Sequence, residues 1–468
     1  MRGSLFTSSY LQRLKRAGIS IFAPLFTCDA ATFLKAITNE AIWSAVYRWL
    51  TGSALSGRHQ IWKVCGLTPT TSCACLAFAL SKNMSTATFY PLGNADCLLI
   101  KADNGKLLLF DYGNVGDPAN KDDRRIDLKK AVQEDIGWPS KKEIDVVAFT
   151  HGDNDHVQGA SEMFWLEHAV RYQNDQRVKI RDLWVPAAMI VEEGVEGDNR
   201  VLRQEARYRL IKGSGVRVFS RPEMLKSWLA ERGLTLHSRE HLITDAGQLV
   251  PGLNLQTEGM EFFVHSPFAH RHDGGITDRN QNCLVMQAVF LHDGWLSRLL
   301  ITADSEVDDW NLIVDITKAH AKSDPSRLDR LKWDIFKCPH HCSYGAMSKE
   351  KGETVTQPSD QFRWLLEQGS KKSVIVSSSW SIPKTDEIQP PHFQTYNRYK
   401  ESAEALDADL QVTMEHPKPQ APDRMVVKID GSGVMLKKES IAAGVSIITQ
   451  KSPRMGYVNS SAGPGRDC

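Results

Sequence analysis

Residues 144–156 read Ile144-Asp145-Val146-Val147-Ala148-Phe149-Thr150-His151-Gly152-Asp153-Asn154-Asp155-His156. The run 144–150 is apolar and rich in β-branched residues, which predicts a buried strand. The six residues that follow hold two histidines and two aspartates. Carboxylates crowded at a buried strand end cost several kcal/mol unless a cation or hydrogen bonds compensate them. The stretch therefore predicts a metal-binding loop. The plainer alternative is an Asp/Asn-rich turn with a helix N-cap at Asp155.

Three other apolar runs end in polar clusters of the same kind. Leu107-Leu108-Leu109-Phe110 leads into Asp111-Tyr112-Gly113-Asn114, and Leu299-Leu300-Ile301-Thr302 leads into Ala303-Asp304. Ile335-Phe336-Lys337 leads into Cys338-Pro339-His340-His341-Cys342-Ser343. Loops at the ends of neighbouring strands let a rigid scaffold gather distant side chains. The remaining pattern predicts strands at Thr88–Leu92 and Cys97–Lys101, joined by the Gly93–Asp96 turn. Further strands are predicted at 180–185, 216–219, 253–266, 283–291 and 373–376. Residues 115–142 and 160–172 read as helical, as does most of 188–235. Strands, then helices, then strands again predict an α/β fold in which two sheets lie between helices.

Taken together and in order, these clusters resemble the metallo-β-lactamase fold superfamily, whose metal motif usually reads H-x-H-x-D-H. Here Asp153 stands at the second histidine. That variant, with Thr302–Glu306 and His340–Ser343, is similar to the hydrolase domain of ComEC-type competence proteins. The stretches "YPLGNADCLLIK" at 90–101 and "LLLFDYGN" at 107–114 add to the likeness, which runs from about residue 86 to about 430.

The resemblance implies a four-layer αββα sandwich with a helical insertion near 188–250. It also implies two divalent metal ions, zinc or manganese. His151 and Asp153 would serve one ion, and Asp155 and His156 the other. Asp304 would bridge, one or both of His340 and His341 would complete the set, and Asp155 would stand among the catalytic residues. Asp111 would orient a ligand imidazole from behind. A carboxylate at 153 hardens the donor set and moves its preference from zinc towards manganese. Ala303 and Cys342 stand where the family has glycine, which predicts altered turns. The late family element is reduced to His392, expected near substrate with Ser343. His265 and His270 are the nearest candidates for the superfamily's middle histidine.

The implied chemistry is metal-assisted hydrolysis, with a phosphodiester in nucleic acid or a nucleotide as the expected substrate. A small-molecule ester, thioester or lactone hydrolase and a noncatalytic metal-binding partner protein are the alternatives, since fold alone does not choose among them. A net charge of +1 excludes strong nonspecific attraction to nucleic acid while leaving room for a local basic patch. Scattered tryptophans give no stacking platform for single strands. Nine cysteines without paired spacing point to a reducing cytoplasm, and Cys338 and Cys342 read as small core residues. No apolar stretch reaches the roughly 18 residues of a membrane span. Residues 1–83 hold nine Lys/Arg against Asp29 and Glu40. They are expected to be an extension preceding the functional domain of 84–438, because Trp43, Trp49 and Trp62 fit a transit peptide poorly. The stretch 439–468 is expected to be a tail.

Overall fold

The computed structural model describes residues 84–268 and 282–437. The chain divides into two units, Met1–Asn83 and Met84–Cys468, and all that follows concerns the second. The readings made for residues 1–83, for the stretch from 438 onward and for His270 lie outside the described residues.

Two sheets form the centre. The strands of the first are β1 (Met84–Phe89), β2 (Leu98–Lys101), β3 (Leu107–Phe110), β4 (Glu143–Ala148), β5 (Phe164–Trp165), β6 (Val178–Pro186), β7 (Val216–Phe219) and β8 (Ile243–Thr244). The second contains β9 (Met260–Ser266), β10 (Val285–His292), β11 (Trp295–Ile301), β12 (Trp333–Lys337), β13 (Gly369–Ser377) and β14 (Asp409–Val412). The chain then returns to the first sheet through β15 (Met425–Asp430) and β16 (Gly433–Leu436). Spatial order is β16-β15-β1-β2-β3-β4-β6-β7-β8, with β5 on β6, and β14-β13-β12-β11-β10-β9.

Three apolar cores define four layers. Leu108 and Phe110 of β3 point into a core between the sheets, with Phe262, Ile301 and Ile335 of the other sheet. Leu107 and Leu109 point the other way, against α1 (Leu128–Ile136), with Val132 in the same core. Two-sided burial is why β3 reads as an unbroken apolar run. The short α2 (Asn154–Val157) lies in the metal-motif loop. Helices α3 (Gly197–Lys212) and α4 (Glu223–Ala230) bury Leu202, Leu210 and Leu229 on that same outer face. Trp310, Phe362 and Tyr399, from α5 (Val307–Ala321), α6 (Asp360–Leu366) and α7 (Phe393–Leu406), cover the second sheet.

Three local expectations change. The stretch 160–172 is not one helix: Ala160–Met163 makes one turn, Phe164–Trp165 pairs with β6, and Val170–Tyr172 is a 3₁₀ turn. The helical spacing of Ala160, Met163 and Phe164 stops there: the next buried residues are Leu166 and Tyr172, and position 167 is not buried. Within 115–142 the helix is confined to α1. Asp117, Asn120 and Asp123 each accept a backbone N–H two residues on, which competes with helix upstream of the Asp127 cap. Asn254 caps the one-turn helix Leu255–Glu258, so the strand expected from 253 begins at Met260. Among the described residues, no helix is long and apolar enough to cross a membrane.

Candidate metal centre

Adjacency follows from the pairing. β3 and β4 are parallel neighbours in the first sheet, and β11, β12 and β13 are parallel neighbours in the second. Their C-terminal loops therefore emerge on common edges, and the side chains beyond them meet. His156 Nε2 is 3.2 Å from Asp304 Oδ1 and 3.8 Å from Asp155 Oδ2. His341 Nε2 is 3.0 Å from Asp155 Oδ2 and 3.6 Å from Asp304 Oδ2. Asp96, His156, Asp304 and His341 are all buried, and each offers a ligand atom within 4.8 Å of the others.

Each buried imidazole is held by its other nitrogen. His156 donates through Nδ1 to Asp111 Oδ2 at 2.9 Å, and His341 through Nδ1 to the Ser378 carbonyl at 2.7 Å. His151 Nδ1 lies 3.1 Å from Thr150 Oγ1, whose hydroxyl is donated to Asp111 at 2.8 Å. Asp111 also accepts the Thr150 N–H at 2.7 Å. The Nε2 atoms of His151 and His156, Asp304 Oδ1 and both oxygens of Asp96 are buried without a hydrogen-bond partner. Such atoms rarely stay unsatisfied in a native fold, and a divalent cation would satisfy those that no neighbouring charge compensates. The nitrogen and oxygen donors present fit a divalent metal ion.

The other expected residues are placed as follows. Asp153 Oδ2 is 3.6 Å from His151 Nε2. Asp153 is also the N-cap position of α2, without a side-chain cap bond, and Asp155 lies inside the helix, so the capping alternative for Asp155 is not what the chain does. His340 Nε2 is 3.8 Å from Asp304 Oδ2, with the side chain 27% exposed. Ser343 is turned into a local cap, accepting the Gly345 N–H. His392 is buried away from the carboxylates: Nε2 donates to the Ile388 carbonyl and Nδ1 accepts the Tyr344 N–H. His265 donates to the Arg330 carbonyl at 2.9 Å and is not part of the cluster, and burial pushes it down to about 4. Cys338 and Cys342 are fully buried in the core of the second sheet.

Two residues of the site were not among the expected ones. Asp96 sits in the turn between β1 and β2, where its N–H donates to the Asp155 carbonyl and its own carbonyl accepts the Gly113 N–H. Lys337, the last residue of β12, is buried with Nζ 2.6 Å from Asp96 Oδ2, an ion pair without hydrogen-bond geometry. A lysine closing a wholly buried strand was the available signal, since buried lysines are almost always paired.

Backbone strain gathers here. Asp111, Ala303, His340, His341 and Cys342 all have left-handed φ, between 46° and 68°. Ala303 and Cys342 thus keep the conformation that glycine favours, rather than altering their turns. Left-handed backbone costs a non-glycine residue roughly 1–2 kcal/mol. Strain of this kind persists where surrounding structure enforces it, typically at functional sites.

The electrostatics are strongly coupled. Burial alone would discharge His156, but Asp304, Asp111 and Asp155 outweigh it and hold the imidazole well above its ordinary value. His341 is raised against burial by Asp304 and Asp155. Asp155 is lowered to about 2, because His156 and His341 overcome its desolvation. His151 is lowered by burial and by His156. The imidazoles stand in as counter-charges that a metal ion would replace.

No family model and no curated protein matches this sequence. Solved structures do. A metal-dependent hydrolase of the β-lactamase superfamily, Tm1679, aligns with 73% of this chain and 98% of its own, at 11% identity and a TM-score of 0.30. Unliganded yeast PDE1 aligns with 70% and 97%, at 12% identity and a TM-score of 0.34. A diphosphatase from the PhnP family aligns with 73% and 97%, at 11% identity and a TM-score of 0.26. At TM-scores this low the likeness adds no weight to what the site geometry gives.

Proposed function

We propose that this protein is a metal-dependent phosphodiester hydrolase, acting on nucleic acid or a nucleotide. The carrying observation is the set of three imidazoles, His151, His156 and His341, each fixed through Nδ1 with Nε2 turned towards a carboxylate-lined centre. Five carboxylates, Asp96, Asp111, Asp153, Asp155 and Asp304, face one ammonium, Lys337. The four formal negative charges left over equal what two divalent cations would cancel. The residues that would hold such ions are His151, Asp153, Asp155, His156, Asp304, His341 and Asp96.

Bound divalent cations, manganese or zinc, would supply Lewis acidity and a water of pKa lowered towards about 7. The chain's own residues do the rest. Asp111 fixes the tautomer and orientation of His156. Asp153 and Asp155 are each about a third exposed, so substrate would approach from their side. His340, 27% exposed beside Asp304, would donate to an anionic oxygen of the substrate. The carboxylate-rich donor set favours hard cations, which suit hard phosphate oxygens.

The test is turnover of bis-nitrophenyl phosphate by the full chain with added manganese or zinc, run beside nitrophenyl esters, a thioester and a lactone. Metal-dependent phosphodiester cleavage abolished by Asp155→Ala supports the reading. Cleavage of the esters alone would replace it with the small-molecule hydrolase alternative. Metal binding without turnover on any substrate would leave a noncatalytic metal-binding protein.

A further inference from the structure

The outer face of the first sheet carries a cavity of about 790 Å³ that the metal centre does not use. Its volume falls within the range of small-molecule sites, about 300–1,000 Å³. It lies over α3, whose other face is packed in the core through Leu202, Ala206 and Leu210. Arg200, Arg207 and Tyr208 of α3 line it, with Arg171 from the 166–172 loop and Trp228 and Arg232 at α4. None of its twelve lining residues is acidic. Glu193 and Glu231, just outside the lining, pair with Arg207 and Arg232, which leaves Arg171 and Arg200 as the uncompensated charges.

The arginines divide into two held ones and two open ones. Arg207 is held by the Ile190 carbonyl and by Glu193, and Arg232 by the Trp228 carbonyl and Glu231 through Nη1, which leaves its other nitrogens. Arg171, Arg200 and Arg232 are exposed. Arg171 lies over Tyr172 with its guanidinium carbon 4.6 Å from the ring centroid, and Arg232 over Trp228 at 3.9 Å. Stacking orients a guanidinium while leaving its N–H edge for an anion, the whole edge in Arg171 and the part beyond Nη1 in Arg232. Tyr208 is 43% exposed, and Ile211 beside it 45%. A wall of guanidinium groups next to an exposed aromatic and aliphatic surface suits a ligand with both phosphate and a flat ring.

The cavity is tied to the metal loop through α3. Asn199 donates to the Gly152 carbonyl at 2.7 Å, and Asp198 accepts the Gly159 and Ser161 N–H groups. Gly197 and Arg200, on either side of those two residues, line the cavity.

From this we infer that the α3–α4 cavity is a nucleotide-binding site separate from the metal centre, with phosphates on Arg171, Arg200 and Arg232 and the base against Tyr208. The inference does not rest on phosphodiester hydrolysis, because binding here needs no turnover. A free nucleotide and a nucleotide within a single strand offer the same chemistry.

The experiment measures binding by the full chain, with chelator present so that no probe is consumed. The probes are a fluorescent adenosine triphosphate analogue and an end-labelled single-stranded oligothymidine, with inorganic triphosphate as competitor. The triple variant Arg171→Ala, Arg200→Ala, Arg232→Ala is expected to weaken the bound probe at least tenfold. A charge-matched control, Lys121→Ala, Lys130→Ala, Lys400→Ala, is expected to bind as wild type. Tyr208→Ala should weaken the nucleotide several-fold and leave inorganic triphosphate unchanged. Tighter binding of the mononucleotide assigns a free ligand. Tighter binding of the strand, with a salt slope about 2 units shallower in the triple variant, assigns a strand. Wild type that binds neither probe, a triple variant that binds like wild type, or a control that loses as much overturns the site. Equal loss of nucleotide and inorganic triphosphate in Tyr208→Ala, or no loss of either, overturns the nucleotide assignment.

Discussion

Lys337 Nζ lies 2.6 Å from Asp96 Oδ2, and both side chains are buried beside the histidine–aspartate cluster. Burial works against the ammonium, yet Asp96 and Asp304 outweigh it and hold Lys337 above its ordinary range. The lysine is therefore a resident positive charge in a site built of carboxylates.

Lys337→Met should remove that charge while keeping the bulk. Breaking one side of a buried pair costs about 3–5 kcal/mol, so the metal-free variant should melt well below wild type. Added manganese should restore more stability to the variant than to wild type, because the cation takes over the balancing of Asp96. Equal metal-induced shifts in thermal melting would show that the lysine does not set the charge of the site.

Gly113 is a second point of leverage. A Cβ there would stand 1.9 Å from the Asp155 carbonyl oxygen. Backbone cannot give way as a flexible side chain can, so Gly113→Ala should push Asp155 and His156 outward. Overpacking typically costs about 1–3 kcal/mol, and metal affinity measured by calorimetry should fall together with stability. A variant that loses stability but keeps full metal affinity would separate this contact from the site.

Metal binding should depend on pH in a defined sense. His156 and His341 are held above the ordinary imidazole value, so each must lose a proton to ligate. Without metal, their charged forms contribute stability that is present below about 6.5 and lost as pH rises through the folded values. Metal affinity runs the opposite way, rising with pH. Calorimetric titration in buffers of different ionisation heat should record protons released on binding near pH 6.5. Binding with no proton release would contradict the arrangement.

Away from the site, Glu205 offers a check on the outer layer. It accepts from the His168 ring, the Arg209 guanidinium and the Glu167 and His168 N–H groups. Burial would raise its carboxyl, but the His168 bond and Arg209 hold it down to about 2. Its contribution of about 3 kcal/mol is present above the unfolded value near 4.5 and lost as pH falls through about 2. Glu205→Gln should flatten the acid limb of urea-denaturation stability between pH 5 and 2. An unchanged slope would sink this assignment.

The candidate site was legible in sequence, as a set of residues that converge, where chemistry-bearing residues directly follow an apolar strand, as at 151–156, 304 and 340–341. Strand runs such as Leu107–Phe110 stood out because both faces are buried. What the sequence withheld were residues whose role depends on neighbours far along the chain. Asp96 reads as an ordinary turn carboxylate until its backbone pairs with Asp155 and Gly113. Lys337 reads as a strand terminus until β12 brings it to Asp96. Likewise, β14 to β16 are short or alternate weakly, so pairing partners rather than local pattern define them. His392 drew attention as the remnant of a family element, and its two backbone hydrogen bonds use both ring nitrogens.

The most direct test of the metal centre is elemental analysis of the full chain after loading with manganese or zinc and desalting. Wild type should retain about two divalent ions per chain, and Asp304→Ala, lacking the carboxylate between His156 and His341, should lose at least one of them while still folded by circular dichroism. Folded wild type that retains no ion, or equal metal content in both proteins, would contradict the account.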